Sequence, residues 1–170
     1  MSNEIVATHR TAQSDDTYQY RECGLDNVWL KGGFERVSSP YGDAVFIKDS
    51  QSLHECIALC LTSKPARLTG AEFRFLRTHL DLSQMMMGQL CGVSDRSVRG
   101  WESSDEPIGG AEDTIIRVIY RERRDPKTTY EGFAKALREL QAADKAFFEM
   151  KLEATANGWV RQSIDAVACA

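Results

Sequence analysis

The side chains best placed to do chemistry fall into three groups. Asp95, Arg96 and Arg99 lie within one and a half turns of each other if the segment is helical, all on its outer face. Charged groups so displayed suit recognition of a polar or charged partner rather than bond making. Cys56 and Cys60 share a helical face at four-residue spacing, and Cys23 would have to join them to build a metal site. Structural zinc usually takes four N or S ligands, commonly from pairs such as C-x2-C, so these cysteines are expected to pack as small apolar residues, with no metal and no cofactor. His54 beside Cys56 is the one pairing of a nucleophile with a base. The other histidines are His9 and His79, and no glycine-rich phosphate loop, H-E-x-x-H or nucleophile elbow is present, so no enzyme is expected.

These groups must be positioned by a chain of 170 residues, long enough for one compact domain or two small ones. Its composition is that of a soluble globular protein, with 42% hydrophobic residues, 21 basic and 25 acidic side chains, and a net charge of −4. No run of 18 apolar residues occurs and the first 17 residues are polar, so a cytoplasmic location is expected. The five cysteines (Cys23, Cys56, Cys60, Cys91 and Cys169) are odd in number and argue against a disulfide framework. Charge is unevenly spread. Residues 1–63 carry 5 basic and 9 acidic groups, residues 64–124 carry 10 and 9, and residues 125–170 carry 6 and 7. The middle is therefore where a polyanion meets least repulsion.

Residues 1–17 lack periodicity and read as a flexible tail. Residues 18–64 read as a small β-rich module with one helix. Tyr18–Cys23 and Val28–Lys31 flank a turn-rich tetrapeptide as a hairpin, Ala44–Ile47 is a third strand, and residues 51–63 form an amphipathic helix through Leu53, Cys56, Ile57, Cys60 and Leu61. Residues 65–124 read as a helical bundle. Thr69 and Glu72 form a capping box, followed by Phe73, Leu76 and Leu80 on a buried face. Residues 103–110 are a loop, and a helix from Ala111 to Arg123 buries Ile115, Ile116, Ile119 and Tyr120. Arg117, Arg121, Arg123 and Arg124 crowd its end as a solvated face or a phosphate patch. Residues 125–170 read as a C-terminal extension, with a long helix over 129–154 carrying Tyr130, Phe133, Leu137, Leu140 and Phe147.

Between these elements, residues 83–102 (SQMMMGQLCGVSDRSVRGWE) meet the constraints of a helix-turn-helix one by one. Ser83 caps a helix from Gln84 to Cys91, Gly92 supplies a left-handed turn, and Ser94 caps a second helix to about Trp101. Gly88 is the small residue needed where two helices cross closely. Met87, Cys91, Val93, Val98 and Trp101 form the apolar seam. On the outer face of the second helix, Asp95, Arg96 and Arg99 stand where a recognition helix meets base edges in the major groove.

From Leu68 to about Tyr120, LTGAEFRFLRTHLDLSQ and GVSDRSVRGWE resemble the lambda-repressor-like, Xre-type helix-turn-helix family. The whole arrangement, an aromatic hairpin, a helix and then this domain, is similar to MqsA-type antitoxins and related phage and prokaryotic regulators. Those carry a zinc-binding N-terminal module with paired cysteines; this chain has only Cys23 in Tyr20-Arg21-Glu22-Cys23-Gly24, which implies a shortened module without the metal. The expected fold is α+β, a small N-terminal hairpin or three-stranded sheet followed by a bundle that the resemblance makes lambda-repressor-like and by a long C-terminal helix. The resemblance implies that Gln84 bonds backbone phosphate and braces the recognition helix, and that Ser94 donates to phosphate. Asp95 and Arg96 match the family's principal base-reading positions, with Arg96 suited to guanine O6 and N7. Ser97 and Arg99 extend this surface, and a further base-reading position is Gly100. Arg74 and Arg77 contact phosphate or pair with Glu72 or Asp81.

The expected function is that of a sequence-specific DNA-binding regulator, a dimeric repressor reading a palindromic operator and autoregulating its own operon. Its dimer surface would be the N-terminal sheet or the C-terminal helix. The alternatives are an antitoxin-like interaction module that neutralises a partner toxin, and an RNA-binding regulator.

Overall fold

The structure is a computed structural model, and it describes residues 8–11, 16–39, 42–124 and 149–162. The chain is mixed α+β, with five helices among the described residues, and divides into two compact units. One contains residues 1–20, 26–56 and 149–170, the other residues 21–25 and 57–148. No helix among the described residues is long and apolar enough to cross a membrane.

The first unit holds two sheets. Strands β1 (Thr8–Thr11), β4 (Phe34–Ser39) and β5 (Gly42–Ile47) form an antiparallel sheet in the order β1-β4-β5. Strands β2 (Thr17–Gln19), β3 (Val28–Lys31), β6 (Met150–Thr155) and β7 (Gly158–Arg161) form the other, in the order β2-β3-β6-β7, with β3 and β6 parallel. In β3 every second side chain is buried, and the register sets Val28 beside Met150 and Leu30 beside Leu152, all fully buried. Trp159 closes this core: its Nε1–H donates to the Lys48 carbonyl at 3.2 Å. Its ring lies so close to Gly33 that a Cβ there would sit 2.6 Å from it.

The hairpin exists as β2 and β3, but β2 is confined to Thr17–Gln19 and the third strand does not join it. Strand β5 pairs instead with β4, whose residues carry no strand signature strong enough to mark it in the sequence, and the hairpin sheet is completed by β6 and β7. Residues 8–11, expected to belong to a tail, are strand β1. The long helix over 129–154 fails at its end, because Met150 and Leu152 are buried while Lys151 is exposed, the two-residue period of a strand. The rest of that helix, residues 129–148, lies outside the described residues.

Helix α1 (Ser50–Thr62) begins in the first unit and ends in the second. The second unit contains α2 (Gly70–His79), α3 (Gln84–Cys91), α4 (Asp95–Glu102) and α5 (Gly110–Arg124). The capping box at Thr69 and Glu72 is present, with Phe73 and Leu76 fully buried. A buried polar cluster ties α5 to the segment before α2. Asp113 Oδ1 accepts from Leu68 N–H at 2.8 Å and from Arg117 Nη2 at 2.9 Å, and Arg117 donates to the carbonyls of Lys64 (2.6 Å) and Ala66 (2.7 Å). Alongside, Lys64 Nζ is 2.6 Å from Glu72 Oε2, also buried. The arginine run of α5 is thus divided, with Arg123 and Arg124 exposed and the other two drawn into the unit. Arg117 is fully buried, Arg121 bonds Ser63 Oγ, and Arg123 donates to the Leu80 carbonyl at 2.6 Å.

Candidate nucleic-acid interface

The pair α3 and α4 is built by local rules that the residues satisfy. Ser83 accepts from Met86 N–H and caps α3, and Ser94 accepts from Ser97 N–H and caps α4. A serine cap satisfies an otherwise orphaned amide and contributes about 1 kcal/mol. Between the helices, Gly92 has φ 70°, the left-handed region that side chains disfavour. At the crossing, a Cβ on Gly88 would lie 2.7 Å from the Val93 carbonyl oxygen, so only glycine lets the turn fold back this closely. Met87 and Val98 are fully buried in the seam, with Cys91, Val93 and Trp101 half-buried. Trp101 meets Phe73 of α2 edge-on at 6.0 Å. Burial, with Glu112 nearby, pushes the Cys91 thiol above its ordinary pKa, so it stays protonated at neutral pH.

The glycines of this pair give a clean test. Gly88→Ala forces backbone apart and is expected to cost about 1–3 kcal/mol, despite alanine's better helix propensity. Gly100, in contrast, has open space where a Cβ would stand. Gly100→Ala should stabilise by about 0.5–1 kcal/mol. Thermal unfolding by circular dichroism should therefore move in opposite directions for the two variants, and equal shifts would contradict this packing.

A second network fixes how α4 sits. Glu102, at its last turn, receives Arg77 Nε at 2.5 Å and Arg77 Nη2 at 3.1 Å, and Gln84 Nε2 donates to Glu102 Oε2 at 2.9 Å. Arg77 Nη1 also donates to the Leu82 carbonyl at 2.5 Å. Gln84 Oε1 then accepts from Arg99 Nε at 3.4 Å, and Arg99 lies 3.8 Å from Asp95. One chain of polar contacts thus joins α2, α3 and α4. Its root is buried, with side-chain exposures of 10% for Arg77 and 3% for Glu102, while the Arg99 and Asp95 side chains are 66% and 55% exposed. The outer pair contributes only a few tenths of a kcal/mol by itself.

The expected site residues separate accordingly. Asp95, Arg96 and Arg99 share the exposed face of α4, and Arg96 makes no hydrogen bond or ion pair with another described residue. Ser94 and Ser97 join at the start of that helix, their hydroxyls 3.0 Å apart. Gln84 is half-buried and braces α4 through Glu102 and Arg99. Arg74 is exposed on α2, where it lines a groove of about 400 Å3 with Glu22, Cys23 and Thr78. Arg77 does not belong to the surface: it is buried and engaged by Glu102 and Leu82, so the expected phosphate contact is replaced by a structural one, and neither Glu72 nor Asp81 is its partner. Glu102 itself was not legible as a site residue, since its partner lies 25 positions away. Nor was the apolar outer face of α3, where Met85, Met86 and Leu90 are 63%, 45% and 51% exposed.

The cysteine and histidine groups are more ordinary. Cys60 is buried and Cys56 half-buried on α1, and no cluster of three or more His, Cys, Asp or Glu that could hold a metal occurs among the described residues. His54 Nε2 lies 2.9 Å from the Tyr20 hydroxyl, with the rings stacked at 5.9 Å. No family model, curated protein or solved structure matches the chain.

Proposed function

We propose that the protein is a sequence-specific DNA-binding transcriptional regulator of the Xre type, a dimeric repressor that reads a palindromic operator and controls its own operon. In this reading α2 to α5 form a lambda-repressor-like bundle, α3 and α4 are the helix-turn-helix, and α4 enters the major groove. The observation that carries it is the contrast within α4. Its root is clamped by the buried Arg77–Glu102–Gln84 network, while Asp95, Arg96 and Arg99 stand exposed on its outer face. A recognition element needs that combination of a fixed helix and solvated, hydrogen-bonding side chains. Ser94 uses its oxygen as a cap acceptor, and its hydroxyl proton can serve a phosphate. Near-neutral charge over residues 64–124 makes sequence-independent affinity modest, so tight binding requires two matched half-sites.

Binding should weaken steeply with salt, the log–log slope growing by about 0.9 for each phosphate neutralised. Fluorescence anisotropy with the duplex upstream of the gene measures it. A flat salt response would favour the second reading, an interaction module that neutralises a partner toxin. That reading has an observation of its own in the exposed Met85, Met86 and Leu90 on α3, an apolar face of the kind that protein partners cover.

A further inference from the structure

Strand β5 is the edge of its sheet, and its outer side has no strand paired to it among the described residues. The register between β4 and β5 is regular from Phe34 with Ile47 to Ser39 with Gly42, and Lys48 N–H continues it by donating to the Gly33 carbonyl at 2.9 Å. In an antiparallel ladder the backbone groups of alternate residues point to opposite sides. Lys48 faces β4, so Phe46 and Ala44 do too. The N–H and C=O groups of Asp43, Val45 and Ile47 therefore point outward. Edge strands normally carry a lysine, a proline or a bulge that discourages pairing. Gly42–Ile47 has none of these and only one charge, Asp43, with a lysine, Lys48, only at its end, while Phe46 is 60% exposed.

We infer that β5 is a self-association edge, whose occupant is β5 of a second copy of this chain in an antiparallel, two-fold arrangement. Symmetry selects the register. An axis normal to the sheet keeps every side chain on its own face, so only residues of equal parity can lie opposite each other. Centring the pair on Val45 uses all three outward residues: Val45 meets Val45, and Asp43 meets Ile47 in both directions. Six N–H···O bonds form. Each Phe46 then lies opposite Ala44 of the second copy, with Val37 the next residue across on the same face. The two Asp43 carboxylates end up four positions apart along the strands, about 13 Å, so no like charges face each other. A β5 pair is also closed, since it consumes both edges and assembles two chains only. The β5 pair supplies the dimer that the proposed function calls for and in that sense rests on it; a dimer joined at another surface, measured without DNA, would overturn the β5 assignment and leave DNA recognition standing.

Sedimentation of the full chain over a wide concentration range should show a reversible shift to twice the monomer mass. Val45→Pro removes an outward N–H but none of the β4 pairing, and should leave a folded monomer throughout the range. Phe46→Glu, which alters no backbone group, should weaken the dimer on the order of tens-fold. Amide hydrogen exchange gives an independent reading: protection of Asp43, Val45 and Ile47 should rise with concentration, while Ala44 and Phe46 stay protected at every concentration. A native chain that remains monomeric, or a dimer in which Asp43, Val45 and Ile47 exchange as freely as in the monomer, would overturn the assignment. A monomeric chain whose β5 edge captures an added strand peptide would overturn it as well.

Discussion

Arg96→Ala should bind the cognate palindrome on the order of a hundredfold more weakly than the native chain, with melting temperature and sedimentation unchanged. The loss follows from position. Arg96 is exposed in the first turn of α4 and has no hydrogen-bond or ion-pair partner among the described residues, so its removal leaves no buried group unsatisfied. A guanidinium bonded to guanine O6 and N7 discriminates by about 1–3 kcal/mol, and a dimer makes that contact twice. The effect should be selective: affinity for unrelated duplexes falls far less, because that binding rests on phosphate contacts. Arg99→Ala should behave differently. It removes a surface cation and also the contact to Gln84 Oε1, so it should weaken cognate and unrelated DNA together. Competition binding with cognate and scrambled duplexes distinguishes the two, and equal losses for both variants would show that Arg96 reads no base.

The largest effect on stability is expected far from that surface, at Asp113. This carboxylate and the Arg117 guanidinium are both fully buried, and Asp113 also accepts the Leu68 N–H that begins the approach to α2. Asp113→Ala leaves an arginine buried without its counter-charge and an amide without its acceptor, at a cost of about 3–5 kcal/mol. A domain of this size has only about 5–15 kcal/mol in total, so the second unit should lose most of its cooperative unfolding transition. Asp95→Ala offers the contrast, because the exposed Asp95–Arg99 pair contributes about 0.5 kcal/mol or less. Calorimetry that finds the two variants equally stable would contradict the buried cluster.

The distance between bonded partners along the chain decided what could be read from the residues alone. Ser83, Gly92, Ser94 and the Thr69–Glu72 box each satisfy a backbone group within three residues, so helix ends and the turn in residues 83–102 were legible. Gly88 was legible for a related reason, since two helices joined by so short a turn must cross closely. Met150 and Leu152 were not. Their burial depends on lying beside Val28 and Leu30, more than 120 residues earlier, and the short alternation was absorbed into a helical stripe. The Arg77–Glu102 and Asp113–Leu68 contacts span 25 and 45 residues, and no periodicity announces them. Of the candidate site, the exposed side chains of α4 were legible and the brace behind them was not.

The proposed function stands on α4 reading a DNA sequence. Selection of binding sites from a random duplex library, with the native chain and Arg96→Ala in parallel, tests it most directly. The native chain should enrich a palindrome with half-site centres about 34 Å apart, one helical turn of DNA, and Arg96→Ala should lose the preference at a symmetric pair of positions. If the native chain enriches no motif at low salt, α4 is not a recognition helix.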